Sequence, residues 1–278
     1  MVALRLMTAK DICAGMHLTE PAGWNQTEAD WQRALALEPE GCFIAEEAGA
    51  MAGTVTTCVF EEVGWIAMVI VSPSMRGRGI GRALMVQALR FLEEQKVRSV
   101  RLDATAMGQP LYEKLGFQQQ YELIRHQGIL PRSAPAKDVV SARQGDLDWI
   151  LRIDRTVTAT NRRKLFLALL SDQHEPVRLV RDERAGEGFL MARCGARAVQ
   201  LGPCIATGNA GPMLFEDACH RYAGAAVYVD IPLANNAAMR VAQAWGLTAQ
   251  RPLVRMCLGP PICERTEKLW ASSGPEKG

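Results

Sequence analysis

Hydrophobic positions along this chain switch repeatedly between two periods. Leu4-Arg5-Leu6-Met7 alternates, Cys42 to Glu46 and Met51 to Phe60 are strand-length runs around the turn Glu47-Ala48-Gly49-Ala50, and Ile66 to Val71 is apolar throughout. Strand side chains alternate between two faces, so alternation predicts a half-buried strand and a short unbroken run a fully buried one. Between these lie stretches with apolar residues every three or four positions. Thr8-Ala9-Lys10-Asp11 leads into one short helix. Thr27-Glu28-Ala29-Asp30 has the form of a capping box for a second, which carries Trp31, Leu35 and Leu37 inward. Ala83, Leu84, Ala88, Leu89 and Leu92 mark a third. Arg98 to Ala104 alternates again, Met107 to Phe117 is a short helix with Pro110 in its first turn and Gly116 as its stop, and Phe117 to His126 would complete the sheet.

Gly128 to Lys137 carries two prolines and no periodicity, and reads as a linker. After it the pattern begins again. Val140 to Asp146 echoes Leu4 to Asp11, and Val199-Gln200-Leu201-Gly202-Pro203 echoes the strand that ends at Pro73. From Pro203 onward the halves align without a gap, so Gly211 falls on Gly81 and Leu214 on Leu84. Tyr228-Val229-Asp230-Ile231-Pro232 supplies a further strand, and Ala244-Trp245-Gly246-Leu247 answers Lys114-Leu115-Gly116-Phe117. This is an internal repeat. A length of 278 residues also suits two domains better than one. The organisation expected is a domain over 1–127, a linker over 128–137, a second domain over 138–263 and a flexible tail over 264–278.

The junction after Ile66–Val71 is where chemistry concentrates. Pro73 cannot donate to a sheet, so the strand stops there. Gly77, Gly79 and Gly81 follow within five residues and open the third helix. Glycines in that pattern let successive backbone N–H groups converge on one point at the positive end of a helix dipole. Arg76, Arg78 and Arg82 surround that point with charge, which suits a pyrophosphate. A P-loop would place Lys-Ser/Thr where Arg82-Ala83 stands, and a dinucleotide fingerprint would space its glycines G-x-G-x-x-G.

Arg76-x-x-Gly79-x-Gly81 resembles the acyl-CoA signature of the GNAT superfamily of N-acyltransferases. Some thirty residues on, Leu111-Tyr112-Glu113-Lys114-Leu115-Gly116-Phe117 is similar to that superfamily's second motif. The resemblance spans roughly residues 3–127. It implies an α/β (α+β) fold class with two tandem GNAT-like folds, each a mixed, mostly antiparallel twisted sheet flanked by helices. It also implies acetyl-CoA as co-substrate, held by Val69, Ile70, Val71, Arg76, Gly77, Arg78, Gly79, Ile80, Gly81 and Arg82. Val69 to Val71 would contribute a backbone N–H left unpaired by splayed strands, and Tyr112 a proton donor for the departing thiol. Trp24, Asn25 and Gln26, between the first two helices, become substrate contacts. On residue type alone, Trp24 equally anchors a loop and Tyr112 equally packs in a core.

A base is harder to find. The strand from Gly64 to Val71, where many members of the superfamily carry a Glu, holds no carboxylate. Asp103 is the catalytic candidate that remains, with Glu20 and Glu47 as alternatives; Asp103 could equally cap the helix that follows. His17 and His126 are lone histidines of the kind usually found in structural roles. In the second half Arg76 is matched by Ala206, Arg78 by Gly208, Gly79 by Asn209, Arg82 by Pro212 and Tyr112 by Ala242. That half is therefore expected neither to hold the co-substrate nor to react.

Composition narrows the partners. A net charge of +2 without a Lys/Arg block argues against nucleic acid and anionic membranes. No apolar run has membrane-span length, and Met1-Val2-Ala3-Leu4-Arg5 lacks a signal-peptide core. Eight scattered cysteines form no C-x-x-C pair, which predicts reduced thiols, no metal site and a cytoplasmic protein. The reading is an N-acetyltransferase acting on a primary amine, with a small-molecule acceptor. A protein lysine or N-terminal acetyltransferase and a non-catalytic acyl-CoA-binding sensor stay open. Oligomeric state is not legible.

Overall fold

The computed structural model describes residues 2–172, 176–182, 184 and 186–277. The chain divides into two compact units. Unit 1 comprises Met1–Gln119, Met256–Pro261 and Pro275–Gly278, and unit 2 comprises Gln120–Arg255 and Ile262–Gly274. No helix among the described residues is long and apolar enough to cross a membrane.

Unit 1 runs β1 (Ala3–Leu6), α1 (Ile12–Thr19), α2 (Glu28–Leu37), β2 (Phe43–Glu47), β3 (Ala50–Phe60), β4 (Val63–Val71), α3 (Ile80–Glu94), β5 (Ser99–Ala104) and α4 (Gln109–Lys114). The sheet order is β1-β2-β3-β4-β5, antiparallel except for the parallel β4–β5 pair. Helix α3 buries Ile80, Leu84, Met85, Ala88, Phe91 and Leu92, a stripe at helical spacing. It packs on β2, β3 and β4. A Cβ on Gly64 would meet Leu92 at 2.9 Å, so the even-numbered start of β4 faces α3. Trp65, one residue on, therefore faces the opposite side of the sheet. The capping box read at Thr27 forms: the Thr27 N–H donates to Asp30 Oδ2 at 2.9 Å.

Unit 2 takes in most of β6 (Gln118–Ile129), then β7 (Val140–Ser141), α5 (Leu147–Thr158), α6 (Arg163–Asp172), β8 (Arg178–Asp182), β9 (Gly186–Arg193), β10 (Val199–Ala206), α7 (Ala210–Arg221), β11 (Ala226–Pro232), α8 (Asn236–Ala244), β12 (Thr248–Leu258) and β13 (Leu269–Ala271). Its order is β6-β11-β10-β9-β8-β7, again antiparallel but for the β10–β11 pair. Each unit thus has the mixed, mostly antiparallel, helix-flanked sheet expected of it.

Three expectations are corrected. The strand over 117–126 does not complete the first sheet. From Leu123 to Ile129 it pairs antiparallel with β11, whereas Met256–Leu258 at the end of β12 belong to unit 1. Pairing partners are chosen by the whole fold, and nothing local in the strand names them. That strand also takes the first two residues of the stretch read as a linker, and Leu130 after it is buried.

The second correction concerns Pro203, which does not end its strand. β10 continues to Ala206 and carries Pro203 where its register with β9 shifts between Leu201 and Cys204, a position where a missing N–H is tolerated. Only residues 207–209 then separate β10 from α7, against 72–79 between β4 and α3. Unit 2 has no counterpart to the first half of the glycine loop.

The third is the stretch 264–278, expected to fray. Leu269–Ala271 pairs with β10, and Pro275–Lys277 belongs to unit 1; Gly278 lies outside the described residues. Trp270, 3% exposed, lies on the head of α7, where a Cβ on Gly211 would come within 2.0 Å of its ring. Its centroid is 5.3 Å from that of Phe215, edge to face. Trp270→Ala should cost about 3–5 kcal/mol, the usual range for emptying so large a buried volume. Urea unfolding followed by circular dichroism measures it, and a loss under about 1 kcal/mol would remove Trp270 from the core.

Candidate active site in the first unit

After β4 the Ser72 N–H donates to Ala52 O at 2.8 Å, and Pro73–Met75 makes one 3-10 turn. Gly77 and Gly79 then take left-handed backbones, φ 77° and 79°, and beyond their chain neighbours no atom of the described residues lies within 4 Å of where a Cβ would stand. Gly79 is the N-cap of α3 and brings no side chain to it, so the first-turn N–H groups are open to a ligand. The loop is an exposed run of backbone donors at the head of a 15-residue helix. Arg76 Nε donates to Val71 O at 3.2 Å, and Arg82 is exposed. Arg78 is engaged elsewhere: it grips Glu47 through two bonds of 2.7 and 2.6 Å, and the pairing holds that carboxyl below its ordinary range. Glu47 is thereby committed as an ion-pair partner rather than a base.

The strand leading into this loop is bent open. β4 and β5 pair only over Val63–Trp65 and Ser99–Arg101. Met68 has φ 49°, a left-handed conformation that a residue with a Cβ rarely adopts, and the β3–β4 register shifts between Thr54 and Thr56. Thr54 Oγ1 donates to Met68 O at 2.7 Å and pins the bulge. Val69, Ile70 and Val71 follow on an edge that β5 has left. The sequence shows neither the bulge nor its clamp.

Tyr112 lies on α4 and is 7% exposed, with its ring against Gly108 and its centroid 6.1 Å from that of Phe117. Burial pushes its phenol up to about 12. Its hydroxyl makes no hydrogen bond among the described residues, so neither Asp103 nor any other of their side chains holds it. Gly108 is the N-cap of α4 and brings no side chain to it. Trp65 stands beside Arg101 in the parallel register, and Asp103 is two residues further along β5. Asp103 therefore shares the sheet face of Trp65, away from α3. Glu20 is exposed at the end of α1.

On that same face the structure assembles a cluster that sequence reading missed. Asn25 is 1% exposed, and Trp24 and Gln26 are half-buried. Gln26 Nε2 donates to Glu276 Oε2 at 2.9 Å, while Gln26 Oε1 is buried without a partner among the described residues. Trp65 Nε1 donates to Pro275 O at 3.1 Å. Lys277 is ion-paired with Glu276, and its Nζ lies 3.9 Å from Asp30 Oδ1. Asp30 also accepts from Arg33 Nη1 at 2.7 Å. Of this cluster, only Gln26 and its neighbours were candidates in the sequence. Nothing in Pro275-Glu276-Lys277 signals a place beside residues 250 positions earlier.

Comparison with known proteins bears on the family and fold of both units. Residues 10–117 match the acetyltransferase (GNAT) family model, and residues 150–271 match an acetyltransferase (GNAT) domain model. Holothin acyltransferase of Pseudoalteromonas sp. (strain SANK 73390) is 24% identical over 189 residues, which cover 67% of this chain and 63% of that protein. Glucosamine 6-phosphate N-acetyltransferase of Trypanosoma brucei brucei is 28% identical over 137 residues, 44% of this chain and 92% of that one. Among solved structures, a Pyrococcus horikoshii protein provisionally classed as an acetyltransferase superposes with a TM-score of 0.83, covers 100% of this chain and 96% of its own, and is 22% identical. With a family model matched in each half, the chain belongs to the GNAT acetyltransferase family and carries two of its domains in tandem.

Proposed function

We propose that unit 1 transfers the acetyl group of acetyl-CoA to the primary amine of a small molecule, and that unit 2 carries out no second transfer. The observation that supports this most directly is the continuity of the bulged edge of β4 with the open donor cradle of Gly77 and Gly79. A pyrophosphate fits that cradle because it needs backbone donors, a positive helix end and space, and all three are present. Acetyl-CoA supplies an activated thioester and a thiol leaving group. Arg76, Arg82 and the loop amides hold it, and a backbone N–H among Val69 to Val71 polarises the carbonyl oxygen. The names of two relatives, which concern an acyl transfer and an amino sugar phosphate, favour a small acceptor over a protein.

Tyr112 handles the proton at sulfur. At about 12 its phenol is a weaker acid than a thiol of about 8.5, so simple donation is uphill. The hydroxyl instead gives its proton to sulfur as the C–S bond breaks and takes one from the amine nitrogen as the C–N bond forms. To Asp103, which shares the sheet face of Trp65, this reading assigns the proton that an ammonium of pKa near 10.4 must lose first.

Release of free thiol from acetyl-CoA against a panel of amines tests the reading. Amine-dependent release is expected. Tight acetyl-CoA binding with no release for any amine would favour a sensor. Calorimetric titration should give one acetyl-CoA per chain, because the head of α7 lacks the long loop and lies under Trp270. Two per chain would return unit 2 to service.

A further inference from the structure

We propose that Gln26, Asp30 and Glu276 form the ammonium-binding end of the acceptor site of unit 1, and that Lys277 fills it as the chain's own occupant, which an acceptor amine must displace. The inference rests on the acetyltransferase reading for the word acceptor; the ammonium site itself stands on geometry alone. All the residues concerned belong to unit 1.

A lysine is among the residues least often buried, because its charge must be paired and hydrogen-bonded once water is removed. The Lys277 side chain is 4% exposed, Glu276 is 4% exposed and Asp30 is 0% exposed. The ammonium sits between the two carboxylates. Asp30 is fixed by the Thr27 N–H and by Arg33, and Glu276 by the Gln26 amide, so both acids are held in place before any cation arrives. The same amide leaves Oε1 buried and without a partner among the described residues, an acceptor awaiting an N–H donor. Two anchored carboxylates and a vacant acceptor are the requirements of a primary ammonium.

The position of this group is as telling as its chemistry. The Trp65 indole anchors the Pro275 carbonyl on the sheet face shared by Asp103, three residues before the Met68 bulge. β4 carries no carboxylate of its own, and Glu276 brings one to that face from the far end of the sequence. The Trp65 indole and the Gln26 amide keep Pro275 and Glu276 in place while the Lys277 side chain swings out. A Lys277 side chain seated nine-tenths of the time would weaken the apparent affinity of an amine about tenfold.

The test uses the full chain with Lys277→Met, which keeps the methylenes and removes the charge, and Lys277→Ala, which empties the space. Calorimetry with n-butylamine, the lysine side chain cut free, should show one saturable site in Lys277→Ala. Wild type should bind at least about tenfold more weakly, and adding Glu276→Gln to Lys277→Ala should abolish binding. With an accepted amine, Lys277→Met should lower KM about tenfold at unchanged kcat and unchanged acetyl-CoA affinity. Equal butylamine binding by wild type and Lys277→Ala, or binding indifferent to Glu276→Gln, overturns the site. Absence of amine-dependent thiol release in every variant would sink the acetyltransferase reading while the butylamine result still decides the site. Lys277→Met guards against a folding defect in Lys277→Ala, and matching melting curves establish that both are folded.

Discussion

Tyr112→Phe is expected to lower turnover by roughly 10²-fold while acetyl-CoA affinity and the melting temperature stay near wild type. The change removes one oxygen from a ring that packs against Gly108 and Phe117 and loses no protein hydrogen bond with it. Packing is kept, so what disappears is the proton at sulfur. Burial holds that phenol at about 12, so its protonated form survives across the usable pH range. The alkaline limb of the wild-type profile should therefore show no fall assignable to Tyr112 below about pH 11. Steady-state kinetics of the two proteins at saturating amine would decide it. Equal turnover would leave Tyr112 as a core residue only.

Arg76→Ala combined with Gly79→Asp is expected to weaken acetyl-CoA binding by well over tenfold, and by roughly 100-fold at low salt. Three losses coincide. An aspartate at Gly79 must accept φ 79°, at a cost of about 1–2 kcal/mol. Its carboxylate would stand at the helix end where the phosphates are received, turning an attractive dipole into a repulsive pair. The removal of Arg76 takes away a cation next to the same point. Nothing lies within 4 Å of a Cβ at Gly79, so the side chain displaces no neighbour and the fold should survive. Calorimetry that found unchanged affinity would move the co-substrate away from this loop.

Much of this was legible because it is local. Left-handed backbone at Gly77 and Gly79 demands glycine, so the loop announces itself. The capping box at Thr27 is four residues long and closed as written. The period change from Ile66–Val71 to Ala83–Leu92 places the loop between a strand and a helix. The rest is set at a distance. Met68 takes a positive φ because Thr54, on another strand, holds its carbonyl, and methionine carries no mark of that. Pro203 reads as a stop but sits at a register shift that only the β9 pairing creates. Glu276 and Lys277 lie in a polar run with no period, and only the folded chain reveals that their charges are enclosed.

The division of strands between the units also sets when the protein can be finished. Ser99 Oγ donates to Pro260 O at 2.6 Å within unit 1, a bond spanning 161 positions of sequence. Contacts of that separation form slowly, because a long loop must close before they are rewarded. On a ribosome adding about 5–20 residues per second, the β5 edge at Ser99 must then wait for another 161 residues to be made, on the order of ten seconds or more. During that interval β5 has its parallel partner β4 on one side only. The amino-terminal half is the first to emerge and among the last to close.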